Sequence, residues 1–290
     1  MQKAVISGSE CVVLKSPKTQ KIVEYRFYLN NSLINKGQDS TLYLSNLESF
    51  TVYAVKLEAC TFVSSTRNGC LTSDDTLLFQ TNQSTPGSLK NLEFKDSIFN
   101  EFFLSSEIKW CLPLHPNGIL RLVKLKRDEN MEIFSSTNIS ILSYIDKGLK
   151  YGQNYTYELL YYNDIGSTSV KNWHMTEENL PFSISNIRCE SRTSTEIEIL
   201  VAEPLFPNGI LKKFEIKFKK SSDQLWTTLN NFGIGANKSS TYSLKISQLT
   251  PYTQYEFQAI FCNGRGCIRS NITNDKNCAT SEGVKNFNIL

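Results

Sequence analysis

Histidine is nearly absent from this sequence: His115 and His174 are the only two in 290 residues. That is a thin supply for nucleophilic catalysis, which recruits a base beside the nucleophile. Glycine-rich phosphate loops and the HExxH pattern are missing as well. There is no run of 18 or more apolar residues, so no segment is expected to insert into a membrane. The opening residues MQKAVISGSE lack the apolar stretch of a signal peptide. Net charge is only +3, too small to point to nucleic acid. No stretch holds a helical period for three turns. The paired carboxylates Asp74–Asp75 and Asp128–Glu129 read as loop tips, and no cofactor or metal site is expected.

What is present is a folded composition, 40% apolar and 11% aromatic, in a chain long enough for two or three domains. Eight cysteines exceed what a typical cytosolic chain needs, and none has CxxC spacing, which favours an oxidising compartment. Six Asn-x-Ser/Thr sequons, at Asn30, Asn82, Asn138, Asn154, Asn237 and Asn271, permit glycosylation and secretion.

The chain repeats itself. LESFTVYAVKLEAC from Leu47, LKYGQNYTYELLYY from Leu149 and LTPYTQYEFQAIFC from Leu249 each place a tyrosine six residues after the leucine. Those tyrosines, Tyr53, Tyr155 and Tyr255, are spaced by 102 and 100 residues. PLHPNGIL at 113–120 and PLFPNGIL at 204–211 form a second landmark, 91 apart. In FEIKFKK, Phe214, Ile216 and Phe218 alternate with charged residues, giving one apolar and one wet face. Short strands broken by Pro, Asn and Gly clusters predict an all-β chain of antiparallel sandwiches. In Pro-Asn-Gly, the glycine is expected to supply the left-handed turn.

About seven strands per hundred residues, with Trp110 in IKWCLPL, the Leu149/Tyr155 and Leu249/Tyr255 pairs, and the NDIGS and NGRGC turns, resemble the fibronectin type III module. The resemblance implies three tandem seven-stranded sandwiches at about 1–83, 84–178 and 179–281, with 282–290 starting a following segment. It makes Tyr53, Tyr155 and Tyr255 tyrosine corners, whose hydroxyls bond upstream backbone, and Trp110 a core residue. The first repeat lacks the tryptophan and has a missing or very short first strand. The third has Val201 at the tryptophan position.

Aligned on the tyrosines, Cys60 and Cys262 occupy one site near the end of the sixth strand, and Cys70 and Cys267 open the seventh. Facing residues on antiparallel neighbours are close enough for a disulfide. Zinc would need two more ligands, and redox catalysis an activated thiolate, neither of which is evident. Cys189, placed after the first strand of the third repeat, and Cys278, placed at the end of its last strand, lie on neighbouring strands of this fold, which permits a second kind of bridge. Cys11 and Cys111 are left over, either as free thiols or as intermolecular partners.

The Cys-Thr…Gly-Cys hairpins resemble those of usherin-type repeats. That resemblance implies a non-catalytic adhesion and spacer segment of a long extracellular protein, binding matrix or cell-surface proteins such as collagen. The rival reading is the ectodomain of a receptor tyrosine phosphatase or kinase. Lys212, Lys213, Lys217, Lys219 and Lys220 read either as a protective sheet edge or as a site for an acidic glycan. His115 and His174 read as solvated loop residues, Arg265 as a turn residue, and 229–240 as a candidate contact loop. Short linkers, NQSTPGS and EENLP, predict a semi-stiff rod about 90–100 Å long, from strands rising about 3.3 Å per residue.

Overall fold

The computed structural model describes residues 24–64, 67–72, 76–129, 131–185, 187–229, 241–273 and 275–283. Cys11, Asp74–Asp75, the sequon at Asn237, most of the 229–240 loop and the first-strand region of the first repeat lie outside them. Among the described residues every regular element is a β-strand, so no helix is long and apolar enough to cross a membrane.

The first repeat contributes β1 Glu24–Leu29, β2 Ser32–Gly37, β3 Val52–Ser64, β4 Arg67–Thr72 and β5 Leu77–Gln80. They form one antiparallel sheet in the order β2-β1-β3-β4, with β5 also on β3. The second supplies β6 Glu93–Ile98, β7 Leu104–Lys109, β8 Leu122–Arg127, β9 Met131–Ser136, β10 Ser143–Leu149, β11 Asn154–Tyr162 and β12 Ser167–Met175. These build a three-stranded sheet β10-β7-β6 and a four-stranded sheet β12-β11-β8-β9. The third repeats the plan: β13 Arg188–Arg192, β14 Ile197–Ala202 and β17 Thr241–Ile246 form the sheet β13-β14-β17. β15 Lys213–Lys220, β16 Thr227–Leu229, β18 Tyr255–Cys262 and β19 Cys267–Arg269 form β16-β15-β18-β19. In both complete copies the first, second and fifth strands share one sheet, and the other four share the second. The two complete copies have the two-sheet strand arrangement of fibronectin type III sandwiches, and the described part of the first repeat is a single antiparallel sheet.

The described chain forms two compact units. One holds the described residues up to Glu93 with Lys109–Ser143 and Thr156–Asn172; the other holds Phe94–Ile108, Tyr144–Tyr155 and the described residues from Trp173 on.

The third repeat shows why this sequence makes a sandwich. Ile197, Ile199 and Val201 alternate along β14 and are fully buried, as are Ile216, Phe257, Ala259 and Phe261 from the other sheet. Phe214 lies opposite Phe261 in the β15–β18 register, with ring centroids 4.4 Å apart. Each such large side chain contributes about 1.5–3 kcal/mol on burial. The inward stripe packs into one core while Glu215 and Lys217 stay on the wetter face.

In the two Pro-Asn-Gly turns, asparagine takes the left-handed conformation: Asn117 and Asn208 both have φ of 51°. Gly209 also has positive φ, 149°, as expected of the glycine, whereas Gly118 does not, which corrects the expectation for that turn. Asparagine tolerates that region; Gly118 is set by space, and Gly209 by both its positive φ and space. A Cβ on Gly118 would sit 2.4 Å from the Gln83 side chain, and one on Gly209 would sit 2.7 Å from Glu178.

Candidate functional site

The three tyrosines perform one task. The N–H of Glu48, Lys150 and Thr250, five residues upstream, donates to the hydroxyls of Tyr53, Tyr155 and Tyr255 at 2.9, 2.9 and 2.8 Å. Residues seven and three positions before each tyrosine adopt positive φ: Asn46, Gly148 and Gln248, then Phe50, Gly152 and Tyr252. The corner backbone is therefore repeated although its side chains are not.

A partner that the sequence reading missed closes each corner. Thr81, Thr176 and Thr280, all buried, donate from Oγ1 to the carbonyls of Glu48, Lys150 and Thr250 at 2.6, 2.7 and 2.7 Å. The same oxygens accept the N–H of Thr51, Gln153 and Thr253 at 3.0, 2.9 and 2.9 Å. The next residue receives the corner itself: Phe50, Gly152 and Tyr252 donate their N–H to the carbonyls of Asn82, Glu177 and Ser281. The chain thus leaves every repeat along one fixed path. A threonine just before each linker was the available signal.

Entry is equally defined. Asn163 and Asn263 open the turns that follow β11 and β18, and each Oδ1 accepts two turn N–H groups. Their Nδ2 groups donate to the linker carbonyls of Ser84 at 2.7 Å and Asn179 at 2.6 Å. One residue further along, Asn117 and Asn208 donate to the carbonyls of Thr85 and Leu180 at 3.0 and 2.8 Å. The linkers are built into the repeats they precede.

Cys60 and Cys70 face each other across β3–β4 and are disulfide-bonded, as are Cys262 and Cys267 across β18–β19. Cα separations are 4.0 Å in both. Cys60 is internal to β3, whose hairpin runs on to Ser64. Cys189 is bonded to Cys278 over a Cα separation of 5.4 Å. Two placements differ from expectation: Cys189 lies within β13, and Cys278 lies past the end of β19 at Arg269, in the core of the third repeat. Cys111 is a free, exposed thiol. Its neighbour Trp110 is buried just beyond β7 and donates from Nε1 to the Tyr161 hydroxyl at 3.1 Å. Burial, more than any other influence, raises the Tyr161 phenol above its ordinary value.

His174 is a strand residue of β12, a correction to its reading as a loop residue. Its ring stacks on Phe94 with centroids 4.4 Å apart, and Nε2 lies 2.7 Å from Asp96 Oδ1 and 3.4 Å from Ser106 Oγ. The three residue types are those of a hydrolase triad, but both partners meet the same nitrogen, so no proton can pass through the ring from serine to aspartate. Ser106 is also fully buried. The trio is a structural cross-link. His115 is exposed in its turn.

The lysine strand β15 is internal, between β16 and β18, so it does not protect an edge. Lys213 pairs with Glu215 at 2.6 Å, and Lys219 with Glu256 at 3.1 Å while lying over the Trp226 ring. Among the described residues no His, Cys, Asp or Glu cluster could hold a metal ion. The sequon asparagines at 30, 82, 138, 154 and 271 are all exposed.

Residues 182–274 match the fibronectin type III domain family, a non-catalytic module. Across most of its length the chain is similar to proteins that include usherin. It is 25% identical to human usherin over 280 residues, covering 92% of this chain and 5% of usherin. It is 26% identical to the human phosphatidylinositol phosphatase PTPRQ over 262 residues, covering 86% of this chain and 10% of that protein. Over 96 residues, 32% of this chain and 9% of the relative, it is 33% identical to human ephrin type-A receptor 8. The chain therefore spans a tenth or less of these relatives' length.

Proposed function

We propose that this chain is a non-catalytic, extracellular spacer and adhesion segment of a longer cell-surface or matrix-linked protein. The observation that carries this reading is the repeated joint. Each exit is locked by a threonine and each entry by two asparagines, an arrangement suited to passing position and tension between repeats. The domains run at about 1–83, 84–178 and 179–281, with 282–290 beginning a further segment. Three disulfides suit an oxidising compartment, and the exposed sequons suit glycosylation. The partners are matrix or cell-surface proteins, collagen-type on the strength of the usherin likeness, with neither nucleic acid nor membrane insertion involved.

A second reading, the ectodomain of a receptor phosphatase or kinase, is favoured by the likeness to PTPRQ and to ephrin type-A receptor 8. The downstream coding sequence separates the two: a catalytic domain there selects the second, further repeats the first.

The first test is expression through the secretory pathway of cultured animal cells behind a supplied leader. The account expects a secreted product whose mobility shifts with glycosidase and which adheres to a collagen-coated surface. A secreted product with no glycosidase shift and alkylatable thiols at residues 60 and 70 would overturn the extracellular reading.

A further inference from the structure

The two hairpin staples sit in matching grids of side chains that carry opposite charge. In the third repeat Lys213, Cys262 and Cys267 stand side by side across β15, β18 and β19. Glu215, Ile260 and Arg269 form the next row on the same face. In the first repeat the matching rows across β1, β3 and β4 are Glu24, Cys60 and Cys70, then Arg26, Glu58 and Thr72. Access to sulfur is alike in the two. Cys60 and Cys262 are buried, whereas Cys70 and Cys267 are exposed.

The charges differ. Lys213 and Glu215 pair at 2.6 Å. That leaves Arg269 and the turn residue Arg265, both exposed and without a carboxylate partner among the described residues. In the first repeat Arg26 meets Glu24 at 2.6 Å and Glu58 at 3.9 Å, so one guanidinium serves two carboxylates. An anion approaching Cys267 is therefore attracted, and one approaching Cys70 is repelled. The buried sulfur follows the same rule. Lys213 stands across from Cys262 and favours its thiolate, whereas Glu24 stands across from Cys60 and disfavours it.

The second repeat shows that the turn does not need its staple. Tyr162 and Ser167 take the places of the cysteines, yet the Asn163 N–H still donates to the Gly166 carbonyl at 2.9 Å, as Asn263 does to Gly266. The bond can open and leave the turn standing.

We propose that Cys262–Cys267 is a reversible exchange site for anionic thiols of the glutathione class, and that Cys60–Cys70 is not. The thiolate attacks the exposed Cys267 Sγ. The sulfur–sulfur bond breaks as the new one forms, and its electron pair leaves on Cys262 Sγ, which then takes a proton from water. The product is a mixed disulfide at Cys267. A second thiolate attacking the glutathione sulfur releases oxidised glutathione and leaves both cysteines reduced, two thiols having supplied two electrons. Attack of the Cys262 thiolate on Cys267 Sγ reverses the first step and expels the thiol. This goes beyond the spacer reading, which asks only that the bonds form.

The test exposes the secreted chain briefly, at neutral pH and low salt, to glutathione, mercaptoethanol or cysteamine. Apart from the reacting sulfur these carry negative, zero and positive net charge. The reaction is quenched with acid and mapped by peptide mass spectrometry. Glutathione should open the bond at residue 267 about fivefold faster than that at residue 70, or more. The ratio should fall through mercaptoethanol to cysteamine, and should fall again in high salt. Arg269→Thr, which copies the first repeat's residue onto the third, should slow glutathione at residue 267 by about threefold and mercaptoethanol by less. Cys189–Cys278, with Cys278 fully buried, should stay closed throughout. A ratio that ignores the charge of the thiol overturns the proposal, as does a faster reaction at residue 70 or a rate that Arg269→Thr leaves unchanged. Opening of Cys189–Cys278 in step with residue 267 also overturns it, because exchange would then follow unfolding. Free thiols at residues 262 and 267 in the untreated chain overturn it at the outset.

Discussion

Breaking the Cys189–Cys278 bond should release most of the third repeat to mechanical and thermal unfolding. The bond joins β13 to the segment beyond β19 and encloses a sequence separation of 89 residues. Tension arriving near Phe182 and leaving near Ser281 therefore bypasses nearly the whole sandwich while the bond is intact. Once it is reduced, 89 residues at about 3.3–3.6 Å each add roughly 300 Å of chain to the unfolding step. The hairpin staples span separations of 10 and 5 residues, worth only about 35 and 18 Å by the same rule. The thermodynamic ordering is the same: about 4–5 kcal/mol for the long loop against about 2–3 for each hairpin, if the chain-entropy account holds. Against a domain stability of about 5–15 kcal/mol, loss of the long bond is severe. Single-molecule stretching with and without reductant reads the length directly. A third-repeat step of full length in the absence of reductant would refute the reasoning, as would a step that reductant leaves unchanged.

Other consequences are smaller and equally specific. Asn263→Asp keeps the acceptor for the Arg265 and Gly266 N–H groups but loses the donor to Asn179, Pro207 and Asn208. It should cost about 1–3 kcal/mol in urea unfolding of the third repeat, whereas a solvated turn residue would cost nothing. Thr176→Val preserves shape but removes the hydroxyl that serves Lys150 and Gln153; about 1–3 kcal/mol should be lost, with faster amide exchange at Gln153. The Tyr242 phenol is held well above its ordinary value, first by burial and then by its hydrogen bond to Glu203. Because the folded state keeps that proton longer, stability should be insensitive to it at neutral pH and fall as pH rises past about 10, the unfolded value. Tyr242→Phe should make that alkaline loss shallower in a melting-temperature series, and an identical slope would remove the assignment.

The sequence displayed the repeat most clearly where a side chain itself makes the bond. Tyr53, Tyr155 and Tyr255 were visible because the hydroxyl is the acceptor, so the residue type cannot drift. The left-handed corner positions were hidden because backbone shape is what repeats there: Asn46, Gly148 and Gln248 share one conformation and no chemistry. Thr81, Thr176 and Thr280 are not legible because threonine beside a linker reads as loop, and its value lies in partners 33 and 30 residues away in the first and third copies. The place of β15 inside its sheet could not be read from alternation, which gives faces and not neighbours. His174 was misplaced because β12 runs on to Met175, beyond where the repeat boundary suggested an end.

Mapping the disulfides of the secreted, unreduced chain by peptide mass spectrometry is the most direct test. If the first and third copies of the β-module are each closed by their own sulfurs, peptides should pair residue 60 with 70, 189 with 278 and 262 with 267, leaving Cys111 of the second copy alkylatable. Recovery of residues 60 and 70 as separate free thiols, or of residue 189 joined to either hairpin, would contradict it.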